Sequence, residues 1–286
     1  MSQDSRKKRS DIAQKTLDIL SRGSYDLPDQ RSIRLQPALQ DAIQRTELFS
    51  PEVLGDLLNE ARTLLKTQSD PLATIEVTGE TTLAAASRLL QQDHTDVMCL
   101  NFASAKNPGG GFLGGSQAQE ESLARASGLY ACIAPVHGYY GTHRHLKSLL
   151  YTDNMIYSPD VPVFRDDNDQ LLEVPYRATM ITSAAVNRGA IEQNSPEEKP
   201  RIAAVMSERI EKMLALCVHK KQQTLVLGAW GCGVFRNDPL QMAEWFRQHL
   251  LDHGYARAFK HITFAVYDTS KQHNTHNAFQ QTFPSA

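Results

Sequence analysis

The chain has 286 residues, a formal net charge of −2 and 41% apolar residues, enough for one large or two modest soluble domains with a sizeable core. No global positive field draws it to nucleic acid or another polyanion, so an anionic ligand has to be held locally. Cys99, Cys132, Cys217 and Cys232 are scattered with no C-x-x-C pair, which argues for reduced thiols in a cytoplasmic compartment and against a zinc site; nor is there a run of about 18 apolar residues to span a membrane.

In chain order, Arg6-Lys7-Lys8-Arg9 is a basic cluster with no hydrophobic stretch behind it. It reads as the frayed, solvated start of a first helix, not as a signal peptide. From Asp11 to Lys66 the spacing is helical. Ile12, Leu17, Ile19 and Leu20 form one face, and Val53, Leu54, Leu57, Leu58, Ala61, Leu64 and Leu65 a stronger one. Tyr25 to Pro37 is a polar connection between them. Residues 1–72 are therefore expected to form an N-terminal helical extension packed on a main domain of residues 73–286.

Ala73 to Thr78 alternates as a strand, Thr81 to Gln91 is a helix, and Asp96 to Ala103 is a buried strand. It runs into Asn107 to Glu121, in which five of fifteen residues are glycine, so the backbone can lie against a ligand with no Cβ in the way. Ser116 and Gln119 have capping-box spacing, predicting a helix from Glu121 to Ile133 with Glu120 and Glu121 at its start. Strand, glycine loop and helix N-terminus together suit a phosphate. No Gly-Lys-Ser/Thr follows, and the match to G-x-G-x-x-G is incidental. Two carboxylates would repel a plain phosphate there, so they suggest chemistry.

Ala134 to Tyr151 has no clean period. His143 and His145 lack a third ligand and read as part of a polar loop. Asn154 to Ser158 and Val161 to Phe164 are short strands split by Pro159, and Arg177 to Ser183 is another. Asn187 to Pro200 is a long polar loop, and Ile202 to His219 the longest helix. Thr224 to Ala229, a central apolar strand, delivers a second glycine-bearing loop, Trp230 to Phe235. A helix from Pro239 to Leu251, a strand from His261 to Tyr267 and a short helix from Asn274 to Thr282 close the chain. Both loops leave the carboxyl ends of apolar strands, the usual ligand edge of an α/β sheet, and should line one cleft.

These residues carry a resemblance. Gly109-Gly110-Gly111, seven residues, then Gln119-Glu120-Glu121 matches the GGG-X(6–8)-QEE signature of poly(ADP-ribose) glycohydrolases, and Asn107 to Gly115 looks like the bacterial-type branch. Gly231-Cys232-Gly233-Val234-Phe235 is similar to the family's other substrate loop. The resemblance covers roughly residues 73 to 286. It implies a macrodomain-like fold, three layers α/β/α around a mixed sheet, and hydrolysis of the ribose–ribose O-glycosidic bond of poly(ADP-ribose) to release ADP-ribose. Glu121 would be the general acid/base, with Glu120 and Asn107 fixing ribose hydroxyls. Adjacent helical residues project about 100° apart, so the two glutamates should have unequal roles.

Backbone N–H groups of Gly109, Gly110 and Gly111, and of Gly231, Cys232, Gly233 and Val234, would hold the diphosphate. Phe112, Gln119, Asn187 and Phe235 complete the candidate substrate-binding set. No cofactor or metal is implied. The implied partners are poly(ADP-ribose) or ADP-ribose and ADP-ribosylated proteins, in reversal of ADP-ribosylation such as follows DNA damage. A monomer with no nucleic-acid or membrane contact is expected. Two other readings stay open: a hydrolase of mono-ADP-ribosyl protein or O-acetyl-ADP-ribose, and a macrodomain reader that binds ADP-ribose without cutting it.

Overall fold

The computed structural model describes residues 3–284, so the first two residues of the expected 1–72 unit and the last two of the expected 73–286 unit lie outside it. The first part of the chain runs α1 (Gln3–Arg22), β1 (Ser24–Asp26), β2 (Ser32–Arg34), α2 (Ala38–Gln44), β3 (Glu47–Phe49), α3 (Pro51–Leu65), β4 (Thr74–Thr78), α4 (Thr82–Gln91) and β5 (Val97–Phe102). After the first glycine loop come α5 (Gln119–Ala126), α6 (Leu129–Ile133), α7 (His137–His145), β6 (Met155–Arg165), β7 (Leu171–Ser183) and α8 (Arg188–Asn194). The chain closes with α9 (Ile202–His219), β8 (Thr224–Leu227), α10 (Pro239–Arg247), β9 (His261–Ala265) and α11 (Asn274–Thr282).

The main sheet has the order β3-β6-β7-β5-β8-β9-β4. From β7 to β4 the neighbours are parallel, while β6 runs antiparallel to both β7 and β3. Side chains alternate between its faces. Met98 and Leu100 of β5, Leu225 and Leu227 of β8, and Ile262 and Phe264 of β9 pack with α3, α9, α10 and α11. Val97, Cys99 and Val226 point the other way, among residues of α4, α5, α6 and α7. The central strands are thus buried on both faces, which is why they read as unbroken apolar runs. This is the expected three-layer α/β/α arrangement around a mixed sheet.

The N-terminal third departs from its all-helical reading. β1 and β2 form a small antiparallel ribbon that buries Tyr25 against Phe164, with the tyrosine hydroxyl donating to Leu172 O at 2.6 Å. β3 is an edge of the main sheet, pairing Leu48 with Ile156. Strands of three residues leave no periodic signal in a sequence. Leu54, Leu57, Leu58 and Ala61 of α3 lie in the same apolar cluster as Met98 and Leu214, so the core runs continuously across residue 72.

Other differences have local causes. β6 is one strand and not two, with a register shift between Ser158 and Val161 absorbing Pro159. At Pro162 the backbone faces away from β7, its carbonyl accepting from Gly128 N, so the missing proline N–H interrupts no bond to β7. β7 starts six residues before the expected Arg177, because its first half is a half-exposed hairpin arm without alternation. The expected helix to Ile133 breaks at Ser127, whose extended backbone bridges to Val163. α7 occupies the segment without a clean period, burying Tyr139, Tyr140 and His143. α8 sits in the expected polar loop, and α10 ends at Arg247 in a π-helical turn, Gln248–Asp252. Among the described residues no helix is long and apolar enough to cross a membrane.

Leu54 is fully buried on α3 against the opposite helix of the same layer. Leu54→Ala should lower stability by about 2–5 kcal/mol. In urea, followed by tryptophan fluorescence and circular dichroism together, it should shift one common transition without adding a second.

Candidate active site

β5 lies between β7 and β8, all parallel, so the loops after Ser183, Phe102 and Leu227 emerge side by side from one edge of the sheet. The two glycine loops, expected to line one cleft, leave neighbouring parallel strands at the same edge of the sheet. The second of them is also tied to the chain leaving β7. Trp230 Nε1 donates to Ser183 O at 3.1 Å, Asn237 Nδ2 to Val186 O at 2.9 Å, and Gly189 N to Phe235 O at 3.0 Å.

The first loop is fastened to the helix that follows it by the side chains of the Gln119-Glu120-Glu121 run. β8 pairs with β5 only as far as Cys99, leaving the last turn of β5 without a strand on that side. The Gln119 amide takes over there: its Oε1 accepts from Phe102 N at 2.9 Å, and its Nε2 donates to Leu100 O at 2.7 Å and to Thr82 Oγ1 at 3.0 Å. Glu120 is buried, accepting from Ser104 N at 2.6 Å and from Asn101 Nδ2 at 3.4 Å. Glu121 is half-buried and accepts from Gly111 N at 2.9 Å.

The two carboxylates converge. A Cβ at Gly110, where φ is +60°, would lie 2.4 Å from Glu121 Oε1 and 3.2 Å from Glu120 Oε2. Although consecutive on a helix, the side chains bend onto the same stretch of loop backbone. Their settings differ. Burial pushes the Glu120 carboxyl up to about 8, with the nearby Glu121 charge adding to the rise and the Ser104 and Asn101 hydrogen bonds opposing it. Glu121 keeps access to the cleft.

The capping box did not form. Ala118 is the N-cap of α5 and no side chain caps it, because Ser116 N turns back to Gly111 O and Gln119 is committed to β5. The helix therefore starts with its dipole aimed at the loop. The basic cluster is likewise not a solvated fray. Arg6 Nε donates to Gly114 O at 2.9 Å, Arg9 Nε to Gly115 O at 2.8 Å, and Ser10 Oγ to Leu113 O at 2.7 Å, so α1 holds three successive carbonyls of the glycine loop.

The N-terminal half of this chain matches the sequence model of the family described as microbial-type PARG, catalytic domain, over residues 13–166. Poly(ADP-ribose) glycohydrolase from Thermomonospora curvata superposes on it with a TM-score of 0.91 at 48% identity, over 96% of this chain and 99% of the other. The chain belongs to the microbial-type poly(ADP-ribose) glycohydrolase family.

The same Thermomonospora glycohydrolase bound to the inhibitor ADP-HPD matches at 47% identity with a TM-score of 0.88, over 96% of this chain and 99% of that one. Poly(ADP-ribose) glycohydrolase from Deinococcus radiodurans in complex with ADP-ribose matches at 47% identity and a TM-score of 0.81, over 88% and 99% of the two chains. No curated protein sequence matches the chain.

Within this glycohydrolase fold the other expected site residues divide. Gly109, Gly110, Gly111, Glu120 and Glu121 meet in the first loop, and Asn107 is exposed at its start, its backbone N–H donating to Ser104 Oγ at 3.2 Å. In the second loop Gly233 and Val234 are exposed and Gly231 takes φ +73°, where a Cβ would collide with Ala185 at 2.5 Å. Cys232 is half-buried, and its thiol is pushed above the ordinary range by burial. The half-buried Phe235 ring lies 6.2 Å from that of Tyr151. Asn187 caps α8, its Oδ1 accepting from Ala190 N at 3.1 Å.

Phe112 and Gln119 are positioned differently from expectation. The Phe112 ring is 1% exposed and packs with Ala13, Ala124 and Tyr130, because α1 covers it; its side chain belongs to the core. Gln119 holds β5 and α5 together as described. His143, buried on α7, has Nε2 at 2.8 Å from Thr152 Oγ1, and burial lowers its pKa to about 4.

Sequence reading missed Asn101, Ser104, Tyr151, Arg209 and Asn237. Tyr151 has φ +58° and is held by Arg209, which is fully buried and donates to Asp153 Oδ1 at 2.8 Å and Leu150 O at 2.9 Å. Asn101, a single amide in an apolar strand, was the one legible signal among them.

Three outcomes follow for this site. Gly110→Ala should push the Glu121 carboxyl off Gly111 N, cutting kcat by at least an order of magnitude, and should lower stability by about 1–2 kcal/mol because φ is positive there. Gln119→Ala should cost about 1–3 kcal/mol by leaving Phe102 N and Leu100 O unpartnered, measurable by chemical denaturation. The third concerns pH. Between the ordinary Glu value of 4.5 and about 8, the folded chain holds the Glu120 proton and the unfolded chain does not. Stability therefore falls as pH rises through that window. Glu120→Gln, which imitates the protonated acid, should melt with the wild type at pH 4.5 and be the more stable by pH 8, by on the order of a few kcal/mol.

Proposed function

We propose that the chain hydrolyses the ribose–ribose O-glycosidic bond of poly(ADP-ribose), releasing ADP-ribose, with Glu121 as general acid and then general base. The observation that carries this reading is the meeting of two unlike carboxylates on the Gly110 backbone, at the start of a helix and at the ligand edge of the sheet. Glycoside cleavage needs a proton for the departing oxygen and a carboxylate near the oxocarbenium-like centre. Glu121, half-buried and oriented by Gly111 N–H, supplies the proton to the departing ribose 2′-oxygen as the bond to the anomeric carbon breaks. Its carboxylate then takes a proton from water as the water oxygen bonds to that carbon.

Glu120 has a different part. Buried, and tied to Ser104 N and Asn101, it is shielded from attacking water. It holds a hydroxyl of the ribose being released, with Asn107 at the loop's outer end. Backbone N–H groups of Gly231, Gly233 and Val234 face the diphosphate; those of Gly110, Gly111 and Cys232, expected to join them, are already bonded to Asn107 O, Glu121 Oε1 and Ala229 O, and that of Gly109 faces the Glu120 carboxyl, while Phe235 beside Tyr151 packs against the distal ribose. Residues 1–72 brace the catalytic unit of residues 73–286: α1 grips the first loop and β3 closes the sheet. ADP-ribosylated proteins carrying the polymer are the substrates, met in the cytoplasm by a monomeric enzyme.

Incubation with automodified poly(ADP-ribosyl) polymerase should release free ADP-ribose. Glu121→Gln should abolish release while binding of ADP-ribose, followed by calorimetry, persists. Binding without release by the wild type would mean a reader, and release only from mono-ADP-ribosyl protein or O-acetyl-ADP-ribose would move the substrate class.

A further inference from the structure

On the helical layer of α3, α9 and α10, away from the glycine loops in sequence, three metal-competent side chains meet. Glu211 of α9 is buried, His249 in the π-helical turn is buried, and His253 at the end of that turn is exposed. One ligand atom from each lies within 4.8 Å of the others. His249 Nδ1 is 3.1 Å from His253 Nδ1 and 3.8 Å from Glu211 Oε2. We propose that these three residues form a binding site for a zinc-like divalent cation.

Two bare imidazole nitrogens and a carboxylate are the donor set that borderline cations such as Zn²⁺ prefer. With metal–ligand bonds of about 2.1 Å, ligand atoms around a tetrahedral ion sit about 3.4 Å apart. The 3.1 and 3.8 Å separations bracket that value, and the exposed His253 ring can supply the remaining travel. Two imidazoles facing each other through Nδ1 can share only one proton, so a cation between them uses both lone pairs. The far side of His249 is already fixed: its Nε2 lies 2.9 Å from Ser207 Oγ, the outer partner that holds a ligating ring in orientation.

The π-helical turn creates the arrangement. Its wider winding sets His249 edge-to-face with His253, ring centroids 4.9 Å apart and planes at 73°. Beside the trio lies a surface cavity of ≈ 490 Å³ lined by Arg62, Leu65, Lys66, Glu211, His253 and Tyr255, which leaves an open coordination position for water.

Arg62 is the competitor. It grips Glu211 with Nε at 2.8 Å from Oε1 and a terminal nitrogen at 2.6 Å from Oε2. Its side chain is 52% exposed, so it can swing into solvent when a cation takes Oε2. Arg62 and the cation therefore exclude one another at Glu211, and removing the arginine should tighten the site.

Titration of untagged, metal-free protein with zinc chloride, by calorimetry, tests this. The expected result is one ion per chain and a melting temperature raised by about 5 °C at a hundredfold excess over Kd. His253→Ala, a surface change outside the catalytic machinery, should weaken binding by about tenfold or more while leaving fold and hydrolysis intact. Arg62→Ala should tighten it several-fold, and His145→Ala, on a different helix, should change nothing. No saturable binding by the wild type overturns the proposal, as does binding that His253→Ala leaves unaltered; the first outcome would leave an imidazole pair sharing a proton only.

Discussion

Glu120 and Glu121 can converge on one point only because the loop before them is bare enough to accept both. Their carboxylates are consecutive on α5, yet each ends on an N–H of the Ser104 to Gly111 segment, and the space where a Gly110 side chain would stand is filled by their oxygens. The loop backbone thus orients the acids, and the acids fix the loop. Neither half has this geometry alone. The arrangement also separates two carboxylates that are chemically identical: the Glu120 group sits against β5 and the Glu121 group faces outward. Environment, not residue type, sets them apart.

Everything else in the fold either delivers that loop or stiffens it. β5 carries it at the centre of the sheet, and Gln119 completes the hydrogen bonding of β5 where β8 falls short. From the outside, α1 closes on the carbonyls of Leu113, Gly114 and Gly115 and buries Phe112 beneath it. The second loop is positioned through its neighbours. Asn237, Trp230 and Gly189 lock it to the chain leaving β7, and Arg209 holds Tyr151 beside Phe235. A site assembled from three strand ends needs such cross-ties, because each loop by itself is free to drift.

The fold class was readable because the strands that build it are long, apolar and buried on both faces, and the helices over them repeat at three and four residues. α9 and α11 fall where their periodicity put them, and β5 and β8 within a residue or two. The failures have physical causes. β1, β2 and β3 are too short for a period, and β6 passes through two prolines whose geometry is tolerable only because of a register shift and an outward-facing edge. In the site, the glutamates and the glycine loop were legible from their spacing. The roles of Phe112 and Gln119 were not, since both depend on what packs over them from distant parts of the chain: α1 in one case, the short reach of β8 in the other. The capping box was misread for the same reason, as tertiary bonds outbid a local one for Gln119.

The outer margin of β6 has a bearing on colloidal behaviour. An eleven-residue strand next to the rim of a sheet could serve as a template for a second molecule. Here β3 covers only three of its residues, but beyond them come a register shift, Pro162 turned outward with no N–H to offer, and bonds to Ser127 and Gly128. A neighbouring copy would find no continuous row of donors to zip onto, so the fold is guarded against strand-to-strand polymerisation along this flank.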